Sequence, residues 1–132
     1  MKLGLFVLMF TMSVVEFGTA QQTGTFFLTA KMLANDCEAS NRVADGPVPS
    51  WKELEQSDKC VSYVKGIADV FRSARLWGWA PRNRAVCLPD DTNPDQIIRI
   101  FVKYAEQHPK ELGESAPAML RDALQRAFPC LR

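Results

Sequence analysis

The sequence NPDQIIRIFVKYAEQHP at residues 93–109 carries the most complete helix signal in the chain. Asn93 is a favoured N-cap, Pro94 suits the first helical position, and Gln96 stands at the capping-box position. Pro109 ends the helix, because proline disfavours helical geometry at the residue before it. The side chains that share one face at helical spacing are apolar: Ile97, Phe101 and Tyr104 or Ala105. This stretch predicts an amphipathic helix that packs on a core.

Three further segments have the same periodicity, at about residues 25–39, 57–76 and 115–127. Their predicted inward faces, in chain order, are Phe26, Ala30, Leu33 and Cys37; Cys60, Val64, Ile67, Phe71 and Ala74, with Tyr63 and Val70 beside them; and Leu120, Ala123, Leu124 and Ala127. No segment alternates with a period of two over enough residues to predict a strand. The sequence therefore predicts an all-α protein, a small disulfide-bonded bundle of about four helices.

Local signals also predict where these helices begin and what joins them. We expect Gly24-Thr25 to cap the first helix and the second helix to begin near Ser57. Prolines keep the connections at residues 40–51 and 77–92 irregular. A glycine in mid-helix costs ~1 kcal/mol relative to alanine. We therefore expect another backbone to lie close to Gly66.

The first residues of the chain have the order of a secretory signal peptide. A short positive start, Met1-Lys2, precedes an apolar run at residues 3–15, and small residues follow at 18–20. Cleavage after Ala20 leaves a single domain at residues 21–132. The alternative is an uncleaved membrane anchor, but the apolar run is shorter than the ~20 residues that span a bilayer. We expect an exported, periplasmic protein without stable membrane insertion.

All four cysteines lie after this segment. An even count behind an export signal predicts two disulfides, whereas zinc, the competing use, favours closely spaced pairs that this chain lacks. In an antiparallel hairpin the end of one helix lies beside the start of the next. Cys37 ends the first predicted helix and Cys60 begins the second, so we predict that they pair. Cys87 precedes the third helix and Cys130 follows the fourth, so these two are predicted to pair as well.

Charge and residue inventory argue against several classes of function. A net charge of +1 provides no bulk attraction to nucleic acid or anionic lipid. The one histidine, His108, lies at a helix end, where an imidazole can cap carbonyls. Asp90 and Asp91 stand among turn residues ahead of a helix. No phosphate loop or metal-binding motif is present, so we expect no enzyme, no cofactor and no metal site. An envelope enzyme that uses His108 or an aspartate is the disfavoured alternative.

Residues 72–84, RSARLWGWAPRNR, combine arginines and tryptophans with no acidic residue. Tryptophan and arginine are the residue types that most often anchor protein interfaces. The predicted partner-binding residues are Trp77, Trp79, Arg82 and Arg84. The alternative is that the tryptophans cap the core and the arginines form an ordinary solvated face. Residues 41–51 are a second exposed candidate, for which a plain connector is the favoured interpretation.

Several fragments, taken in order, resemble one known family. They are CVSYVKGIAD at residues 60–69, CLP at 87–89, DQ at 95–96, KY at 103–104, HP at 108–109 and ALQRAFPC at 123–130. Together they resemble the Rap immunity protein family, whose founding members protect bacteria against amidase effectors of type VI secretion. The resemblance covers the chain well from Cys60 to Cys130 and covers the first helix weakly.

The resemblance implies a periplasmic helical protein that binds a peptidoglycan-cleaving amidase and blocks its active site. The matching residues are mainly cysteines, helix ends and core positions, so they specify the scaffold and not the partner. The loops at residues 41–51 and 76–86 have no counterpart, and no contact residue carries over. The alternative is a periplasmic helical chaperone or stress protein, which would hold unfolded clients through exposed apolar surface. A homodimer is compatible with either function, because a helical unit this small often leaves an apolar face uncovered.

Overall fold

The computed structural model describes residues 27–81 and 83–130. The elements in chain order are α1 (Ala30–Asp45), α2 (Trp51–Leu76), α3 (Pro94–Gln107), a short 3₁₀ helix (Pro109–Glu111) and α4 (Ala116–Ala127). An all-α, disulfide-bonded bundle of four helices confirms the predicted fold class. No helix in the described part of the chain is both long and apolar enough to cross a membrane. The predicted signal peptide, residues 1–20, lies outside the described residues.

Helix α1 begins and ends later than the sequence predicted. Thr29, not Gly24-Thr25, is its N-cap, and the Thr29 hydroxyl accepts a hydrogen bond from the Met32 N–H at 3.3 Å. Residues 27–29 are not helical, because Thr29 forms an isolated β-bridge with Ser115 just before α4. At the other end no proline or glycine interrupts the chain before Gly46, so α1 continues through residues that we had predicted to be irregular.

Helix α2 begins at Trp51, six residues before the predicted start at Ser57. Ser50 and Glu53 form a capping box: the Glu53 N–H donates to Ser50 Oγ at 3.3 Å, and the Ser50 N–H donates to Glu53 Oε2 at 3.0 Å. Ser57 is instead buried inside the helix, where its hydroxyl contacts that of Ser40 at 3.2 Å. The S-x-x-E pattern at residues 50–53, and not Ser57, therefore sets the start of α2.

Helices α3 and α4 match their predicted boundaries. Asn93 Oδ1 accepts a hydrogen bond from the Gln96 N–H at 2.9 Å, Pro94 is the first helical residue, and His108 follows the last. The chain then makes the short 3₁₀ helix and begins α4 after Ser115, whose side chain makes no capping hydrogen bond. Capping residues and prolines are therefore sufficient to predict the boundaries of α3 and α4.

The core is shared by all four helices and by two residues of the α2–α3 connection, Val86 and Leu88. Its largest fully buried apolar side chains are Leu33, Val64, Ile98, Phe101, Met119, Leu120 and Leu124. Two predicted core positions are wrong: Val70 is 56% exposed, and Ala127 is exposed in the last turn of α4. The buried stripe of α2 passes through Ala68 instead, which lies one turn beyond Val64.

The prediction for Gly66 is also wrong. A methyl group built on Gly66 would meet nothing within 4 Å, and the residue is exposed. No neighbouring backbone explains the glycine, so its cost to α2 is not offset by packing.

The structure contains the two disulfides that the order of the helices predicts. Cys37–Cys60 joins α1 to α2 inside the core, where both residues are 0% exposed. Cys87–Cys130 joins the segment before α3 to the segment after α4, and both residues are half-buried. The paired cysteines are 23 and 43 residues apart in the sequence. In the chain-entropy model, a disulfide that closes a loop of this length stabilises the fold by roughly 3 to 4 kcal/mol.

Candidate functional site

Residues 77–85, named here the tryptophan loop, leave the C-terminal end of α2 through a Schellman motif. The Trp79 N–H donates to the Ala74 carbonyl at 2.9 Å, and the Gly78 N–H donates to the Arg75 carbonyl at 3.3 Å. Gly78 has a φ of 67°, the left-handed conformation that this motif requires and that glycine adopts most readily. The sequence Trp-Gly-Trp therefore ends α2, and it places the two indoles just after the last turn of the helix.

Trp77 and Trp79 are both exposed. Their exposed fractions are 63% and 72%, and their ring centroids lie 4.7 Å apart with the planes tilted by 52°. The rings therefore contact each other and not the core, which removes the alternative that they cap the core. An exposed aromatic pair of this kind is a large apolar surface at the end of a helix.

The tryptophan loop is cationic. Arg84 is exposed, its backbone N–H donates to the Pro81 carbonyl at 2.8 Å, and no described carboxylate forms an ion pair with its side chain. Arg82, the fourth predicted partner-binding residue, lies outside the described residues. The sequence has no acidic residue between Asp69 and Asp90. A partner that approaches this loop meets two indoles in a positive electrostatic field.

Arg72 differs from the other arginines of this stretch because it has a structural role. Its guanidinium donates to the Pro89 carbonyl at 3.2 Å and to the Thr92 carbonyl at 3.4 Å, so it ties α2 to the segment that precedes α3. It is half-buried. The predicted cationic surface therefore begins after this residue.

A groove of about 480 Å³ lies beside the tryptophan loop. Its lining residues are Arg75, Leu76, Gly78, Ala80, Ala85, Cys87 and Cys130. The far end of the loop is held against the bundle: Val86 is buried, and the Cys87 N–H donates to the Phe128 carbonyl at 3.2 Å. The loop is thus anchored by the Schellman motif at one end and by the Cys87–Cys130 disulfide at the other.

The second exposed candidate, the α1–α2 loop, is much shorter than predicted and comprises residues 46–50. Val48 is 95% exposed and Trp51, the first residue of α2, is 84% exposed. The carboxylates beside this loop are engaged. Asp45 accepts two hydrogen bonds from Arg99, at 2.8 and 2.9 Å, and these contacts lower the pKa of Asp45. Hydrogen bonds from the Ser50 backbone and hydroxyl, and then from Arg42, lower the pKa of Glu53. These polar contacts belong to the scaffold.

His108 caps a helix, as the sequence predicted. Its Nδ1 lies 2.7 Å from the Tyr104 carbonyl, and since a carbonyl can only accept, Nδ1 carries the proton. Nε2 then accepts from Arg126 at 3.4 Å, and the imidazole stacks on the Tyr104 ring at 3.9 Å. Burial raises the pKa of the Tyr104 hydroxyl. Every polar atom of the imidazole is therefore occupied by a structural contact.

The remaining candidate groups form no metal site in the described part of the chain. Asp90 and Asp91 are exposed in a turn that closes with the Thr92 N–H donating to the Pro89 carbonyl at 3.1 Å. Within residues 27–81 and 83–130, no group of three or more histidine, cysteine or carboxylate side chains is arranged to hold a metal ion.

Comparison with known proteins identifies the family. The model of the family described as Rap1a immunity proteins matches residues 29–130, a span that contains all four helices and both disulfides. A search of curated proteins found no match. The match agrees with the resemblance seen in the sequence, and it extends that resemblance to α1. The chain therefore belongs to the Rap1a immunity protein family.

Proposed function

We propose that the protein is exported to the periplasm, where it binds a peptidoglycan amidase effector of type VI secretion and occludes its active site. Membership of an immunity family supports a role in binding a cognate effector. The amidase is the effector class that the founding members of the Rap family neutralise. Because an amidase of this class cleaves the cell wall outside the cytoplasmic membrane, its inhibitor must act in the same compartment.

Two properties of the chain support export. The segment at residues 1–20 has the composition of a signal peptide, and all four cysteines are paired in disulfides. Structural disulfides form and persist in oxidising compartments and are rare in the cytosol. A periplasmic location is consistent with both.

The single observation that carries the proposed binding site is the exposure of Trp77 and Trp79. A tryptophan buries about 150–250 Å² when it enters a pocket, and such anchors dominate interface energies. The indoles already contact each other, and the Schellman motif and the Cys87–Cys130 disulfide hold the loop at both ends. The loop therefore loses less conformational entropy on binding than a free loop would.

The arginines supply orientation and specificity. Arg82 and Arg84 follow the two tryptophans in the sequence and add positive charge, and a guanidinium donates two parallel hydrogen bonds to a carboxylate. We therefore expect the matching surface of the effector to have an apolar cleft with an acidic rim. Inhibition of this kind needs no chemistry from the inhibitor, because a side chain that fills the cleft excludes the substrate.

The test is the affinity of a variant in which Trp77, Trp79, Arg82 and Arg84 are all replaced by alanine, measured by calorimetry against the cognate amidase. We expect the affinity to fall at least ~100-fold, with parallel loss of inhibition of peptidoglycan hydrolysis. Trp51→Ala is the matched control, because Trp51 is even more exposed, at 84%, but lies at the opposite end of α2. An unchanged affinity in the four-alanine variant, or an equal loss in the control, would refute the proposed site.

The same protein tests the alternative functions. Suppression of aggregation of many unrelated clients, without one stoichiometric partner, would favour a periplasmic chaperone. Hydrolytic turnover that disappears in His108→Ala would favour an enzyme. For an immunity protein we expect one tight partner, captured from envelope and secreted fractions and identified as a peptidoglycan amidase.

A further inference from the structure

The two disulfides differ in their access to solvent. Cys37 and Cys60 are 0% exposed and lie between α1 and α2 in the core. Cys87 and Cys130 are half-buried and form part of the wall of the groove beside the tryptophan loop. A thiolate must reach a sulfur atom directly to exchange with a disulfide. In the folded protein, only the second disulfide meets that requirement.

The surroundings of Cys87–Cys130 also favour exchange. Arg75 lines the same groove, and the sequence around it carries no acidic residue between Asp69 and Asp90. Positive charge stabilises both an incoming thiolate and the cysteine thiolate that leaves. The groove has a volume of about 480 Å³, which is large enough to hold a small dithiol.

We propose that Cys87–Cys130 is a thiol–disulfide exchange site, reduced in the folded protein by a dithiol, and that its redox state sets the conformation of the tryptophan loop. One thiolate of the dithiol attacks a sulfur of the pair, the S–S bond breaks, and the other cysteine leaves as a thiolate and takes up a proton. The second thiol of the dithiol then attacks the mixed disulfide and releases the remaining cysteine. The protein gains two electrons and two protons, and the dithiol becomes a cyclic disulfide.

Reduction frees the loop because the covalent link is its strongest anchor at that end. Without it, two hydrogen bonds still join this end of the loop to α4 and its C-cap: the Cys87 N–H donates to the Phe128 carbonyl at 3.2 Å, and the Gln125 side chain donates to the Ala85 carbonyl at 3.4 Å. Val86 and Leu88 stay buried in the core, so the helices remain folded while the loop and the C-terminal segment loosen. The consequence for partner affinity rests on the proposed function, whereas the exchange and the loop response do not.

The first experiment measures which cysteines become free. The purified oxidised protein is given short pulses of dithiothreitol under native conditions, alkylated, and digested for mass mapping of each cysteine. We expect Cys87 and Cys130 to be labelled at least ~10-fold faster than Cys37 and Cys60. Equal rates, or faster labelling of the buried pair, would overturn the proposal.

The second experiment reads the loop without any partner. Trp51→Phe leaves Trp77 and Trp79 as the only tryptophans. We expect selective reduction to change their emission and their quenching by acrylamide, with no change in helical circular dichroism. Cys87→Ser with Cys130→Ser in the same background is the control: it should reproduce the reduced spectrum and no longer respond to dithiothreitol. Unchanged emission after confirmed reduction, or loss of helix signal, would contradict the inference.

The third experiment tests the role of the groove's charge. Arg75→Gln should slow the release of Cys87 and Cys130 by roughly threefold, and Arg42→Gln, at the other end of the molecule, should leave it unchanged. Equal rates in Arg75→Gln and the unsubstituted protein would remove the arginine from the mechanism. Since no effector is present in any of these measurements, their failure is separate from a failure of the proposed function.

Discussion

The two ends of α2 are organised in opposite ways. At its N-terminal end, a capping box between Ser50 and Glu53, an ion pair from Arg42 and the paired contacts of Asp45 with Arg99 hold a short loop in place. At its C-terminal end, the tryptophan loop has no ion pair among the described residues and is held by backbone hydrogen bonds and a disulfide.

The disulfides follow the same division. The buried Cys37–Cys60 disulfide secures the α1–α2 hairpin, whereas the half-buried Cys87–Cys130 disulfide secures the tryptophan loop. Both ends expose tryptophan, but Arg42 at the N-terminal end is paired with Glu53, whereas Arg84 at the C-terminal end has no carboxylate partner among the described residues. Exposure of tryptophan alone therefore does not distinguish the two ends of α2; the pairing of the nearest arginine does.

The largest expected effect comes from removing each disulfide. For Cys37→Ala with Cys60→Ala we expect a loss of about 5 kcal/mol in the free energy of unfolding, because lost core packing adds to the lost cross-link. For Cys87→Ala with Cys130→Ala the loss should not exceed about 4 kcal/mol, since little packing is lost. Urea denaturation followed by circular dichroism measures both. A greater loss of stability at the half-buried disulfide would contradict this distinction between the two.

Replacement by alanine is expected to change the stability in opposite directions at two glycines, Gly66 and Gly78. Gly78→Ala should destabilise by about 1–2 kcal/mol, because its φ of 67° is strained for any residue with a Cβ. Gly66→Ala should stabilise by about 1 kcal/mol, since the added methyl group meets open space in mid-helix. Thermal unfolding of the two variants provides the comparison. Destabilisation by both would mean that Gly66 has a role that its surroundings do not show.

Loss of the N-terminal cap should have a smaller effect. Ser50→Ala removes the acceptor for the Glu53 N–H and should cost about 1 kcal/mol. Partner affinity should not change, because the cap is at the scaffold end of α2. Ser115→Ala is the matched control, as the Ser115 side chain makes no capping hydrogen bond and its removal should be close to neutral. Equal losses in the two variants would argue that the capping box contributes nothing.

The smallest expected effect is a loss of folding stability at low pH that arises at the N-terminal end of α2. The folded-state pKa values of Asp45 and Glu53 are lowered by their hydrogen bonds, so their contribution to stability is present above the unfolded pKa values and is lost as the pH falls through the folded ones. Asp45 is exposed and Glu53 is only partly buried, so the change should be modest. Asp45→Asn should flatten the decrease in stability below about pH 4. A fall equally steep in that variant would exclude the Asp45–Arg99 contact as its source.

Much of the scaffold could be predicted from local signals. Asn93, Pro94 and Pro109 delimit α3 because capping and proline geometry act over a few residues. The disulfide pairing followed from the order of the helices, which places their ends side by side. The S-x-x-E pattern at residues 50–53 is also a local signal, and it indicates the correct start of α2. The predicted start at Ser57 was wrong because a second serine in the same stretch also suits an N-cap.

The fold class, the disulfide framework and the family could therefore be predicted without the structure, since each depends on local periodicity, helix-capping residues or spacing. The folded structure sets where α1 begins, because the β-bridge from Thr29 to Ser115 joins residues far apart in the chain. It also decided that Trp77 and Trp79 face solvent and that Gly66 faces open space. Exposure is a property of what other elements leave uncovered, and no local pattern contains that information.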